Sequence, residues 1–219
     1  MKIGVLRERV SGERRVALVP DAAAKLITAG HQIVVERGAG AAAGFPDATY
    51  EKAGATLVAD AAALSAAAPQ LVVKVRKPSV DEVAALPKGC ALISLLTPGA
   101  NEEILPALAS AKITALALEL VPRITRAQSM DVLSSQSGVA GYKAALIGAA
   151  ALDKFLPMLT TAAGSIAPAK TFVMGAGVAG LQAIATARRL GAVVSAFDVR
   201  GAAGEQVRSL GAQFVEPAA

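Results

Sequence analysis

TFVMGAGVAGLQAIATARRLGAVVSAFDVR, residues 171–200, is the stretch on which the fold turns. An apolar run of strand type leads into GAGVAG, Gly175 to Gly180, and the turn opens an Ala-rich segment of helical character. A second apolar run, AVVSAF, then ends on Asp198. Gly-x-Gly-x-x-Gly alone arises often by chance. Preceded by a strand, followed by a helix and matched to an acid at the end of the next strand, it forms a dinucleotide fingerprint. Gly175 permits the tight turn, Gly177 lets a pyrophosphate approach backbone N–H groups, and Gly180 lets the helix pack on the sheet. The helix N-terminus supplies a field that favours phosphate. Asp198 suits the two ribose hydroxyls of NAD and repels the extra phosphate of NADP, which predicts NAD(H) preference; Arg200 is a complication, because a nearby Arg accommodates a 2′-phosphate.

Outward from this fingerprint, strand-like and helix-like runs alternate along most of the chain. KIGVL, QIVVE, TLVA, LVVKV, ALISLL and ITALALEL are separated by Ala-rich segments with Gly or Pro at the joints. That is the pattern of βαβ units and a largely parallel sheet. The expected architecture is α/β: two doubly wound Rossmann-like domains with mainly parallel sheets, joined by a long helix. Residues 1–130 make an N-terminal Rossmann-like, flavodoxin-like domain. Residues 131–165 make a linking helix and a loop with prolines, and residues 166–219 make the first half of an NAD-binding Rossmann domain. A six-stranded Rossmann domain continues for three more strands, so the sequence is expected to be a fragment.

Composition narrows the function. At 219 residues with 54% apolar side chains, a sizeable core is expected, built from Ala, Val, Leu and Ile because aromatics are only 3% and Trp is absent. Lys and Arg outnumber Asp and Glu by 22 to 17, but the basic residues are dispersed. With neither a basic stripe nor stacking aromatics, no nucleic-acid partner is expected. Cys90 is single and reads as a small apolar core residue in a strand, in a reducing compartment. The most apolar region, Ala144 to Leu152, falls well short of the ~20 residues of a membrane span. The start lacks the apolar run of a signal peptide. No metal-ligand set stands out, and His31, the one histidine, lies in AGHQIVVE without an obvious chemical role.

The stretch PRITRAQSMD, residues 122–131, crowds Arg123, Arg126, Gln128 and Asp131 at what reads as a junction between a buried strand and a long helix. On residue chemistry alone two readings stand. Arg123 and Asp131 are either an ion pair capping the helix, or groups that recognise an amide-bearing ligand.

RERVSGERRVALVPD at 7–21, VVKVRKP at 72–78, PRITRAQSMDVLSSQS at 122–137, FLPMLTTAAGSIAPAK at 155–170 and VMGAGVAGLQAIATARRLGA at 173–192, followed by DVR, closely resemble the NAD(H)-binding component of proton-translocating nicotinamide nucleotide transhydrogenases. The likeness runs along essentially the whole chain, and the family is related to alanine dehydrogenases. The resemblance implies an enzyme component that binds NAD(H) and passes hydride directly to NADP+ on a partner domain, coupled to proton movement through a membrane-spanning subunit. It also implies a homodimer, cytoplasmic and peripheral on the inner face of the cytoplasmic membrane. The PRxxRAQxMD segment becomes a loop over the nicotinamide. Arg123 and Asp131 would hold the carboxamide side, Ser134 would lie beside the ring, and Gln128 would reach toward the incoming NADP(H). Ile124 and Thr125 join Arg123 and Gln128 as nucleotide contacts. So do Ala176 and Val178 in the Gly-rich turn, and Val199 and Arg200 beside Asp198.

Alanine dehydrogenases hold the substrate carboxylate with an Arg and a Lys that match Arg15 and Lys74, and use a catalytic His in the region of LISLLTP, where this sequence has Leu95 and Leu96. Oxidising an amino acid moves a proton as well as a hydride and requires a tuned acid or base. Hydride exchange between two nicotinamides requires positioning alone, so the missing His favours it. The alternatives are an alanine dehydrogenase-like oxidoreductase and a nucleotide-binding module without turnover.

Overall fold

The computed structural model describes residues 1–216, which form two compact units, residues 1–130 and the residues from Asp131 onward. In the first unit the elements run β1 (Lys2–Val5), α1 (Pro20–Thr28), β2 (Gln32–Glu36), α2 (Asp47–Lys52), β3 (Thr56–Val58) and α3 (Ala61–Ala66). They continue as β4 (Leu71–Val73), α4 (Val80–Ala85), β5 (Ala91–Ser94), α5 (Ile104–Ser110) and β6 (Thr114–Ala117). All six strands are parallel, in the order β3-β2-β1-β4-β5-β6.

Side-chain alternation builds a core on each face of this sheet. Ile33 and Val35 of β2 join Ile3 and Val5 of β1 on the face covered by Ala23 of α1 and Tyr50 of α2. Val34, between them in sequence, joins Val72 and Leu92 on the other face, under Leu64 of α3, Val83 of α4 and Ile104 of α5. Each such side chain contributes roughly 1.5–3 kcal/mol by leaving water. Tyr50 is fully buried; its hydroxyl donates to the Leu18 carbonyl at 2.8 Å, and burial pushes its pKa up to about 12.

The strand order is that of dinucleotide-binding Rossmann sheets and departs from the flavodoxin-like arrangement expected for residues 1–130. Element alternation is common to both orders and does not separate them. A second correction concerns ITALALEL. β6 has one neighbour, β5, and its residues are mostly exposed, so the strand before the PRITRAQSMD segment is an edge strand and not a buried one. It leads into two short 3-10 turns, Leu118–Leu120 and Thr125–Met130, ahead of the long helix. Cys90 is buried as expected but stands just before β5, its N–H donating to Pro87 in a turn.

The second unit comprises α6 (Val132–Ala151), β7 (Leu159–Thr161), β8 (Gly164–Ile166), β9 (Lys170–Met174), α7 (Val178–Arg189), β10 (Val193–Phe197), α8 (Ala203–Ser209) and β11 (Gln213–Val215). β9, β10 and β11 form a parallel sheet in the order β11-β10-β9, whose core includes Ile184, Val194, Ala196, Val207 and Phe214. α6 packs along α7 within this unit. The contact is close: a Cβ placed on Gly141 of α6 would lie 2.0 Å from the Ala179 carbonyl oxygen, in the first turn of α7. The segment expected as a loop holds an antiparallel hairpin, β7 with β8, turning through Ala162 and Ala163. No helix among the described residues is long and apolar enough to cross a membrane.

Candidate functional site

β9 delivers the chain into the Gly-rich turn and α7 carries it away. Gly175 has φ +97°, a left-handed conformation that costs glycine little and other residues much. A Cβ on Gly180 would lie 1.8 Å from the Gly175 carbonyl oxygen, so the third glycine allows the helix to close against the turn. A Cβ on Gly177 would meet nothing within 4 Å, which leaves the backbone open to close approach from outside. Gly177 is the N-cap of α7 and offers no side chain to the first-turn N–H groups, nor does an acidic residue in that turn offset the helix dipole. The result is a row of amide donors suited to a pyrophosphate.

Parallel pairing of β9 with β10 brings Asp198 to the turn. The backbone N–H of Ala176 donates to Asp198 Oδ2 at 2.8 Å, and the Gly175 N–H donates to the Phe197 carbonyl at 2.7 Å. Arg200 grips the same carboxylate. Its backbone N–H donates to Oδ1 at 2.9 Å, its Nε to Oδ1 at 3.0 Å and its Nη2 to Oδ2 at 3.0 Å. The guanidinium, with the backbone N–H groups of Arg200 and Ala176, holds the Asp198 carboxyl well below the usual carboxylate range. The Asp198 side chain is 7% exposed and that of Arg200 65%. Val199 between them and Val178 at the head of α7 are also exposed. Gly175, Ala176, Gly177, Val178, Gly180, Asp198, Val199 and Arg200 therefore share one end of the second unit's sheet.

The other candidates divide at the boundary between the units. Arg123, Ile124, Thr125 and Gln128 lie exposed in the first unit, on or just before the 3-10 turn that is anchored by buried Ala127. Asp131 and Ser134 open the second unit. The Asp131 carboxylate caps α6, accepting from the Ser134 N–H at 2.9 Å and from the Ser134 hydroxyl at 2.7 Å. The capping reading of Asp131 thus holds, with Ser134 as its partner.

A charged cluster that sequence reasoning saw only incompletely lies at the C-terminal ends of β1 and β4, where the strand order of the first sheet reverses and where open α/β sheets bind ligands. The Lys74 side chain, 1% exposed, donates to both Glu82 carboxylate oxygens at 2.9 Å, with Glu8 Oε2 at 3.9 Å. Glu8 accepts from the Val75 and Arg76 N–H groups, and burial raises its pKa. Arg15 binds Glu13 through Nε and Nη2, and its guanidinium lowers the Glu13 pKa to about 2. Arg15 and Lys74 are thus held by carboxylates of this chain. The missed member with a readable signal is Glu82: SVDE at 79–82 is a capping box, in which Glu82 accepts from the Ser79 N–H and Ser79 from the Glu82 N–H.

The N-terminal domain of the family described as alanine dehydrogenase/PNT matches residues 4–140, and its C-terminal domain matches residues 144–219. The chain is 50% identical to the first portion of NAD(P) transhydrogenase subunit alpha from Rhodospirillum rubrum, over 98% of its own length and 57% of that protein. It is 36% identical to the alanine dehydrogenase of Bacillus subtilis over 91% of its length and 52% of that protein. The crystal structure of a transhydrogenase from Sinorhizobium meliloti superposes with a TM-score of 0.95 at 51% identity, covering 99% of this chain and 64% of that one. The chain thus spans little more than half the length of these curated relatives. With both domains of the family matched along nearly its whole length, the chain belongs to the alanine dehydrogenase/PNT family.

Proposed function

We propose that the chain is the NAD(H)-binding component of a proton-translocating nicotinamide nucleotide transhydrogenase, passing hydride from NADH to NADP+ bound on a separate partner domain. The observation that carries this reading is the Gly175–Gly180 turn, open at Gly177, uncapped at α7 and tied through Ala176 to Asp198. These residues fit a dinucleotide: amide donors for the pyrophosphate and an ionised carboxylate for the ribose diol, which disfavours a 2′-phosphate.

Bound NADH supplies the hydride; the chain's own residues position, shield and orient. The Gly175, Ala176, Gly177, Val178 and Gly180 backbone receives the phosphates, and Asp198 with Val199 and Arg200 borders the adenosine ribose. Arg123, Ile124 and Thr125 contact the nicotinamide end, Asp131 and Ser134 hold its carboxamide side, and Gln128 faces the partner's nucleotide. Arg, Gln, Asp and Ser donate to or accept from an amide without titrating, which suits a transfer that moves no proton at the reacting carbon.

The partners are an NADP(H)-binding domain and a membrane-spanning subunit that carries the proton path, with this component as a homodimer peripheral to the cytoplasmic face of the membrane. The alanine dehydrogenase reading is weaker, because Leu95 and Leu96 stand where that chemistry requires a His and because Lys74 and Arg15 already bind Glu82 and Glu13. Purified protein carrying this sequence, mixed with its NADP(H)-binding partner, is expected to exchange hydride between nicotinamide nucleotides. Failure to do so, together with NADH oxidation dependent on pyruvate and ammonium, would replace this reading with the second.

A further inference from the structure

We infer that Arg200 is an internal competitor for the ribose-binding face of Asp198, so that its guanidinium sets the affinity for NAD(H) by having to leave. The inference rests on the NAD(H) reading and adds a role for one residue. A carboxylate offers about four lone-pair sites. In Asp198 they are matched by four donors: the N–H groups of Ala176 and Arg200, and Nε and Nη2 of Arg200. A ribose diol needs two acceptors, and none is spare.

The two backbone donors are fixed by the turn and the strand end. The two guanidinium donors are not, since the Arg200 side chain is 65% exposed while the carboxylate it covers is 7% exposed. Nε serves Oδ1 and Nη2 serves Oδ2, one bond to each oxygen. A fork of two donors addressing two oxygens is also what a vicinal diol presents, so the arginine fills the pair of positions that the sugar hydroxyls require. Ribose entry exchanges one fork for the other, while Ala176 and the Arg200 N–H keep the carboxylate aimed. Because the outgoing pair is solvent-exposed, its loss is a modest tax on binding and not a block. The displaced guanidinium stays within reach of the ribose edge, where it would favour a 2′-phosphate and blunt the discrimination that Asp198 provides.

The test is equilibrium binding of NADH and NADPH, followed by nicotinamide fluorescence, to the wild-type protein and to Arg200→Ala, Arg200→Lys and Asp198→Asn variants shown by circular dichroism to be folded. Arg200→Ala is expected to tighten NADH roughly two- to fivefold, the scale of an exposed ion pair, without tightening NADPH. Arg200→Lys, which keeps the charge but loses the fork, is expected to fall between Ala and wild type. Unchanged or weakened NADH binding in Arg200→Ala would overturn the inference, since the arginine would then be a bystander or a nucleotide contact. Asp198→Asn separates the two levels. If it weakens NADH while Arg200→Ala does not tighten it, only the competition is refuted; if it leaves NADH binding untouched, the use of the fingerprint itself is refuted.

Discussion

Gly141→Ala isolates the contact that seats the first turn of α7. The new Cβ would stand 2.0 Å from the Ala179 carbonyl oxygen, 2.8 Å from its carbonyl carbon and 3.0 Å from its Cα. A carbon and a carbonyl oxygen rest no closer than roughly 3.3 Å, so the two helices must part by about 1.3 Å, and the obstacle is backbone that no rotamer change relieves. Overpacking of this kind costs about 1–3 kcal/mol, against a gain of up to about 1 kcal/mol from replacing a helical glycine. Gly138 and Gly148 lie on the same helix with nothing within 4 Å of their Cβ positions, so Gly138→Ala and Gly148→Ala report the helix gain alone. Thermal unfolding followed by circular dichroism should raise the midpoint of both controls and place Gly141→Ala below them by roughly 2–12 °C. NADH binding should weaken in Gly141→Ala alone, since Ala179 belongs to the phosphate-facing turn. If Gly141→Ala melts with its controls, the α6–α7 contact is not the constraint described.

Lys74→Met should cost roughly 3–5 kcal/mol in urea unfolding, because it leaves Glu82 and Glu8 beside an apolar group; a variant as stable as wild type would show that the cluster does not stabilise the fold. Glu13, held at about 2 against an ordinary 4.5, is ionised more readily in the folded protein, so its contribution is present above pH 4.5 and is lost as pH falls toward 2. Glu13→Gln should therefore lower the melting temperature at pH 7 but not at pH 2, and a loss of equal size at both would refute the linkage. Gln128→Asn should slow hydride transfer to the partner's nucleotide far more than it weakens NADH binding. Equal losses in both, read from transient kinetics and equilibrium titration, would remove Gln128 from the transfer step.

Local rules reach some regions of this chain and not others. The nucleotide-binding turn is legible because three glycines and an acid carry its geometry in fixed spacing, and each proves to have a steric or hydrogen-bonding reason. The order of the first sheet is not legible, since βαβ alternation fixes handedness and neighbours only loosely. Hairpin β7–β8 escapes notice because Ala162 and Ala163 supply none of the Asn-Gly or Gly-Gly signal that marks short turns, and the compensating glycine, Gly164 at φ +133°, follows them. The exposure of β6 escapes for another reason: its composition is that of an interior strand, and only its place at the sheet edge uncovers it. In the charged cluster, Glu8, Lys74 and Glu82 come from three separate loops and helices, and only the parallel pairing of β1 with β4 gathers them.

The bond from Ala176 to Asp198 makes the strand end and the phosphate turn one hydrogen-bonded ring, closed a second time by Gly175 to Phe197. Binding energies from the two halves of a dinucleotide are therefore not independent here. A substitution at Asp198 loosens the turn as well as the sugar contact, and a substitution in the turn re-aims the carboxylate. A double-mutant cycle across the ring would return a coupling energy of its own, and nucleotide fragments tested separately would underestimate the whole.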